Sequence, residues 1–299
     1  MTFVLTINGP ETVWLLADRR LSQGNRVVTD DALKAVVVQC SDGVAILGYA
    51  GLGRTAKGTE PADWMAAVLR GRNEPVERSL GIIADAAKRE FPSHLRGKID
   101  HAIISTVFIG QEARVYSINL FTLPNAEIGF RFVRCMTPYS PLVARTWPIA
   151  FGGSGAAWLQ KREKLWAVRK RELFHLVRAC DRGKIFPYAV ADYMAKINLW
   201  VHEGEKQTVG PRCVVVWRNR TQGIHKMGGA HHFYDGKERI RPDRQVSIID
   251  CGIDVAAIVK TMMPATMAAF LATGSLAIDM DKMNAKITKL PDKSDERLR

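Results

Sequence analysis

Thr2, Asp18, Arg20, Lys34 and Gly48 fall within the first fifty residues and together hold the parts needed to activate a hydroxyl. Threonine is small enough to let methionine aminopeptidase remove Met1. That step would leave Thr2 with a hydroxyl and a free α-amine on one residue, nucleophile and base together. A threonine hydroxyl alone is a poor nucleophile. An α-amine, with an ordinary pKa of about 7.7–8.0, is suited to take its proton near neutrality. A lysine cation beside the pair favours the alkoxide and pushes the amine towards neutral. In this scheme Asp18 holds Lys34 charged and oriented, and Arg20 pairs with the acids around it. The backbone N–H of Gly48 would donate to the oxyanion of a tetrahedral intermediate, a contribution of about 3 kcal/mol. Each residue also has a plain reading. Thr2 could simply open an edge strand, Asp18 and Gly48 could end strands, and Arg20 could be a solvated or salt-bridged arginine. Lys34 suits a plain reading least, because Leu33–Val38 is otherwise uncharged and a buried lysine needs a partner.

The elements that must position these residues are short strands. Thr2–Ile7 and Thr12–Ala17 are apolar and β-branched, and Asn8-Gly9-Pro10 between them is a hairpin-type turn. Leu33–Val38 and Val44–Leu47 flank the turn Ser41-Asp42-Gly43, and Gly48-Tyr49-Ala50-Gly51 ends that sheet in small residues. Pro61–Leu69 and Val76–Phe91 have helical spacing. Ala102–Ile109 and Ala113–Leu120 form a hairpin, and Phe130–Cys135 and Trp147–Phe151 continue the strand pattern. Gly152-Gly153-Ser154-Gly155 leads into one long helix from Ala156 to about Cys180, with Trp158, Leu165, Trp166, Leu173, Leu176 and Cys180 as its apolar stripe. Phe186–His202 is a second amphipathic helix. Cys213–Trp217 is a buried strand with Gln222–Met227 as its hairpin mate. Strands and helix pairs alternating in blocks make a layered α+β plan with helices outside the sheets.

Composition narrows the classes. The chain has 299 residues, 47% hydrophobic and 24% charged, ordinary for a globular protein. Its five cysteines are scattered, without the spacing of a zinc site or a disulfide framework, and fit a reducing cytoplasm. The start of the chain lacks the basic and apolar regions of a secretory signal. A net charge of +13 permits anionic partners, but the cations are spread over Lys161–Arg171, Arg218–Lys226 and Lys237–Arg244. No basic–aromatic module is present, so nucleic acid is not expected as a partner. His231-His232 are expected in a loop, without an acid or cysteine at ligand spacing, so no metal is expected. Within Ala256–Ile278, the run Thr261–Ile278 is uncharged for 18 residues, but Pro264 interrupts it and small residues dilute it; a buried or partner-facing helix is expected, not a membrane span.

Residues 2–51 resemble the N-terminal nucleophile hydrolases of the proteasome β-subunit type, which include bacterial proteasome-like threonine peptidases. Thr2 matches the family's nucleophile, Asp18 and Arg20 its Asp-x-Arg, Lys34 its active-site lysine, and Gly48 and Ala50 the glycine and alanine of its substrate-binding turn. Gly153-Ser154-Gly155 resembles the family's Gly-Ser-Gly, whose serine supports the nucleophile's amine. Glu205 and Thr208 resemble its Asp-x-x-Ser-Gly-Gly, with a longer acid, Thr for Ser, and Val209 for the first Gly. Ser154 as a plain helix N-cap, and Glu205 and Thr208 as a polar loop, are the competing readings.

The resemblance implies a four-layer αββα sandwich, two antiparallel sheets between helix layers, over residues 1–228. Residues 229–299 then form a C-terminal extension, partly helical, with a charged, disordered end. It implies Thr2, Asp18, Arg20, Lys34, Gly48, Ser154, Glu205 and Thr208 as catalytic residues, and Gly48, Tyr49 and Ala50 as substrate-binding ones. It also implies a cytoplasmic enzyme without a cofactor, acting on peptide or small amide substrates in a homo-oligomeric ring, with an ATPase or assembly partner. The other reading is a catalytically inactive proteasome-like structural or binding subunit.

Overall fold

The computed structural model describes residues 2–23, 26–51, 59–90, 102–122, 128–134, 149–220, 228–242 and 244–259. Strands β1 (Phe3–Asn8) and β2 (Thr12–Asp18) form an antiparallel hairpin with Val4 opposite Ala17, closed by Gly9 N–H donating to the Thr12 carbonyl at 2.7 Å. Both strands are buried along their whole length. Their alternation therefore divides apolar residues between two cores rather than between core and solvent. Phe3, Leu5, Ile7, Trp14 and Leu16 face one core, and Val4, Val13, Leu15 and Ala17 face the other.

The hairpin lies inside a six-stranded antiparallel sheet. β10 (Ile149–Gly153) flanks β1, and β11 (Arg212–Asn219) flanks β2. β12 (Gly229–Asp235) and β13 (Glu238–Ile240) extend the β11 side. A seven-stranded sheet contains β5 (Ala35–Cys40), β6 (Gly43–Ala50), β7 (Ala102–Ile109), β8 (Glu112–Thr122) and β9 (Ile128–Arg134) as an antiparallel meander. β14 (Ser247–Asp250) runs parallel to β5, and β15 (Ile253–Asp254) folds back on β14. β3 (Leu21–Gln23) and β4 (Arg26–Thr29) form a separate hairpin between β2 and β5.

Helices α1 (Pro61–Leu69) and α2 (Val76–Glu90) share a core with the seven-stranded sheet and with Val4, Leu15 and Val214. Helices α3 (Ser154–Gln160), α4 (Glu163–Asp181) and α5 (Pro187–Gly204) share the second core with Phe3, Leu5 and Trp14. Pro61 and Pro187 each open a helix at a position where no intrahelical N–H is needed. This is a mixed α+β architecture with predominantly antiparallel sheets, compatible with a sandwich.

Several expectations change. The helix expected from Ala156 to Cys180 is two helices, broken at Lys161–Arg162, where the Arg162 guanidinium stacks over Trp158. The break lets Trp158 and Leu159 face the sheet on one side of it and Trp166, Leu173 and Val177 on the other, while Leu165 is left 58% exposed. The partner of β11 is Gly229–Asp235; the expected mate, Gln222–Met227, lies outside the described residues. His231 and His232 are on β12, not in a loop, and adjacent strand residues point to opposite faces. Residues 229–254 add two strands to the end of each sheet, so a boundary drawn at residue 228 passes between β11 and the strand it pairs with. All but the first few residues of the expected 256–278 helix, and the charged end, lie outside the described residues. No described helix is long and apolar enough to cross a membrane.

Candidate active site

Three chain segments converge at one end of the β1–β2 hairpin. Thr2 precedes β1, Asp18 ends β2, and Lys34 precedes β5 in the other sheet. Their exposures are 1%, 0% and 2%. The Lys34 Nζ donates to Thr2 Oγ1 at 2.6 Å, to Asp18 Oδ1 at 3.0 Å and to the Arg20 carbonyl, one acceptor for each ammonium hydrogen. The Thr2 hydroxyl donates to Asp18 Oδ1.

Asp18 is the hub. Oδ1 also accepts the Phe3 N–H at 2.8 Å, and Oδ2 accepts the N–H groups of Arg20 at 3.0 Å and Gly210 at 3.3 Å. Three of these donors are backbone groups, so the carboxylate's place is fixed by the fold itself. Burial holds the Lys34 ammonium below the ordinary lysine range, and the Asp18 carboxylate partly opposes that shift.

Arg20 is close by but does not touch Thr2. Its guanidinium grips Asp30 with two bonds, at 2.6 and 2.9 Å, and donates to the carbonyls of Lys206 and Val209. The Asp30 pairing raises the Arg20 pKa, ahead of the opposing effect of burial. Arg20 thereby ties the loop after β2 to the segment after α5. Asp30 and Gly210 were not anticipated from sequence. An acid ten residues after an arginine has no local signature, and the Gly210 contact uses a backbone group.

Ser154 stands at the start of α3, beside Thr2. Gly153 has a φ of 86°, and a side chain there would meet the Thr2 carbonyl oxygen at 2.0 Å. Only glycine lets β10 end so close to Thr2 and α3 begin there. Gly155 N–H donates to that carbonyl at 3.4 Å. Ser154 Oγ donates to Thr208 Oγ1 at 2.9 Å, and Thr208 donates to Glu205 Oε2 at 3.2 Å. Ser154 Oγ also lies 3.4 Å from the Thr2 carbonyl, a second acceptor for its one proton, so the hydroxyl bridges Thr208 and the Thr2 backbone while its lone pairs remain to accept. Ser154, Thr208 and Glu205 are thus brought together in one hydrogen-bonded chain beside Thr2.

Gly48 is not brought to Thr2. It lies inside β6, opposite Ala35 on β5 and Ile104 on β7, and a side chain there would meet Val4 at 2.8 Å and Leu15 at 2.9 Å. Tyr49 N–H donates to the Lys34 carbonyl at 2.9 Å. Strand N–H groups alternate in direction, so that of Gly48 points towards β7 and is committed to the ladder. The expected oxyanion donor is therefore misplaced. Gly51, with a φ of 146°, follows β6 directly, beyond the last β5–β6 pair. The side chains of Tyr49 and Ala50 are sealed in the core, Tyr49 at 3% exposure, so neither lines an open pocket.

Among the described residues no three His, Cys, Asp or Glu side chains cluster as a metal site. No family model matches the chain. No curated protein matches it. Among solved structures it is similar to Anbu (ancestral beta-subunit) from Yersinia bercovieri, with 11% identity over 97% of each chain and a TM-score of 0.45. It is similar to Anbu from Hyphomicrobium sp. strain MC1, with 13% identity over 93% of this chain and 99% of that one and a TM-score of 0.42. A Gly-1 mutant of Anbu from the same strain aligns at 15% identity over 77% of this chain and 87% of that one, with a TM-score of 0.43.

Proposed function

We propose that this chain is an N-terminal threonine hydrolase of the proteasome β-subunit type, folded as a four-layer αββα sandwich and cleaving peptide or other amide bonds. One observation carries the reading: the Thr2 hydroxyl is held between the Lys34 ammonium and the Asp18 carboxylate, with all three buried. A surface threonine at a strand end has no need of two buried, oppositely charged partners, whose desolvation is expensive.

Once Met1 is removed, the Thr2 α-amine takes the proton of Oγ1, directly or through one water, as Oγ1 attacks the substrate carbonyl. Lys34 stabilises the developing alkoxide charge. Ser154, anchored by Thr208 and the Thr2 carbonyl, accepts a hydrogen bond from the amine and orients it. The Gly51 N–H donates to the oxyanion. The protonated amine then gives its proton to the leaving nitrogen, and a water deprotonated by the same amine hydrolyses the acyl ester on Thr2. No cofactor enters these steps. Assembly into a homo-oligomeric ring belongs to the same proposal.

The test combines intact mass with hydrolysis of a panel of fluorogenic peptides and simple amides. The expected result is a protein lacking Met1 whose hydrolysis disappears in Thr2→Ala. Retained Met1 with no hydrolysis, or a Thr2→Ala variant as active as the parent, overturns the reading.

A further inference from the structure

We infer that Glu60 and Arg244, which lie outside the catalytic group, are positioning residues that set the height of Lys34 against Thr2; this rests on the hydrolase reading above. Lys34 ends a segment without regular secondary structure, residues 31–34; its carbonyl accepts the Tyr49 N–H of β6 at 2.9 Å, but the peptide groups before it belong to no sheet ladder. Those groups are held instead by a clamp from two sides.

On one side Arg19, buried and stacked over Phe233, donates to the carbonyls of Asp31 at 2.8 Å and Ala32 at 3.4 Å, and the Arg19 carbonyl accepts the Ala32 N–H at 3.0 Å. On the other side Glu60 Oε2 accepts the Leu33 N–H at 2.9 Å, and the Ala62 N–H, at the start of α1, donates to the Leu33 carbonyl at 3.2 Å. The peptide groups immediately before Lys34 are thereby fixed by Arg19 and by the N-terminus of α1.

Glu60 is itself buried, and a buried carboxylate holds its place only with a partner. Arg244 supplies it. Its guanidinium donates to Glu60 Oε2 at 2.7 Å and to Asp63 Oδ2 at 3.1 Å, locking the carboxylate to the first turn of α1. Arg244 lies three residues before β14, so the segment after residue 228 reaches the catalytic lysine through one salt bridge and one backbone hydrogen bond. Loss of Arg244 removes this anchor from Glu60, loosens its hold on the Leu33 N–H, and with it the fixed distance of Lys34 to the hydroxyl.

The control is built into the fold. Arg70, at the C-terminal end of α1 and so at the opposite end of the helix from Glu60, pairs with Asp254 at 2.7 Å, which likewise ties α1 to the C-terminal strands. Three variants, Glu60→Ala, Arg244→Ala and Arg70→Ala, are compared for thermal stability, kcat and KM. Glu60→Gln, whose amide oxygen still accepts the Leu33 N–H, is the conservative rescue. The expected result is a kcat lowered by about 10- to 100-fold in Glu60→Ala and Arg244→Ala with KM little changed, the loss that a displacement near 1 Å brings. Glu60→Gln recovers most of it, and Arg70→Ala lowers stability without lowering kcat. Equal kcat losses in Arg70→Ala and Arg244→Ala, or no loss in either clamp variant, overturn the inference. If the parent protein hydrolyses nothing, the hydrolase reading fails by itself, and a crystal structure of Arg244→Ala decides this one. Lys34 Nζ displaced beyond hydrogen-bond reach of Thr2 Oγ1 supports the clamp, and Nζ in its original place overturns it.

Discussion

The Lys34 ammonium lies 2.6 Å from the Thr2 hydroxyl and 3.0 Å from the Asp18 carboxylate, although the two sides belong to different sheets. The contact therefore reports the packing of the sheets as much as it serves chemistry. Lys34 enters from the seven-stranded sheet, and Asp18 is fixed in the six-stranded one by three backbone N–H groups. Any change in how the sheets seat is felt at the hydroxyl.

Asp18→Asn is expected to abolish hydrolysis and to destabilise the protein. The amide replaces one acceptor oxygen with a donor, yet both carboxylate oxygens face donors. Whichever way the amide turns, buried N–H groups oppose each other and Lys34 loses its counter-charge. Breaking a buried pair by removing one partner costs about 3–5 kcal/mol. Chemical denaturation and a peptidase assay on the same preparation check both halves. Parental stability in the Asp18→Asn variant would contradict the central place given to this carboxylate.

Gly48 and Gly51 are expected to separate in mutagenesis. In Gly48→Ala the new methyl meets Val4 and Leu15 between the sheets. Overpacking of this kind costs about 1–3 kcal/mol. Activity per folded molecule should survive, because the Gly48 N–H is turned towards β7. Gly51→Ala, at a φ of 146°, strains the backbone that presents the proposed oxyanion donor and should lower kcat by about 100-fold or more. Urea midpoints and kcat measured side by side distinguish the two. The opposite pattern would restore Gly48 as the donor.

The cluster of Thr2, Asp18 and Lys34 was legible in the sequence because the chemistry proposed for it requires particular residue types. Lys34 stood out as a charge in an apolar run, and Ser154 as the polar member of a glycine-rich turn before a helix. The hairpins were legible from turn residues such as Asn8-Gly9. The direction of a strand N–H was not, since it depends on which neighbour each face of β6 pairs with, and Gly48 was misplaced for that reason. Arg19 and Glu60 gave no signal either, because they act on main-chain groups of residues 31–33. The place of residues 229–254 in both sheets was hidden because β13, β14 and β15 are only two to four residues long.

Ser154→Ala is expected to lower kcat by about 10-fold or more while leaving stability nearly unchanged, since the lost hydroxyl is only partly buried and acts through the amine of Thr2. Thr208→Val removes the nearer of the two acceptors of the Ser154 hydroxyl and should give part of the same loss, the double variant being no worse than Ser154→Ala alone. A double-variant cycle on kcat checks this coupling. Strictly additive losses would mean that Thr208 does not act through Ser154.

Stability is expected to carry a pH signature from Asp181, at the end of α4. Its carboxylate is packed against the β1–β2 turn, where it accepts the Thr12 hydroxyl at 2.6 Å, and Oδ2 is buried without a hydrogen-bond partner. Burial pushes its pKa up from 3.8 to about 6, against the Thr12 and Glu11 hydrogen bonds and the nearby Arg220 cation, which pull it down, while the Glu11 charge adds to the rise. A raised carboxylate binds its proton more tightly in the folded state. Its contribution is therefore favourable at acidic pH and is lost as pH rises from about 4 through about 6, with no further change above that. Asp181→Asn keeps an acceptor for Thr12 and has no charge to bury. The variant should be more stable than the parent above pH 7, by about 1–2 kcal/mol after allowance for partial exposure. The difference should shrink towards pH 4. Urea denaturation at a series of pH values checks it, and a stability difference that does not vary with pH would show that the Asp181 charge is not the cause.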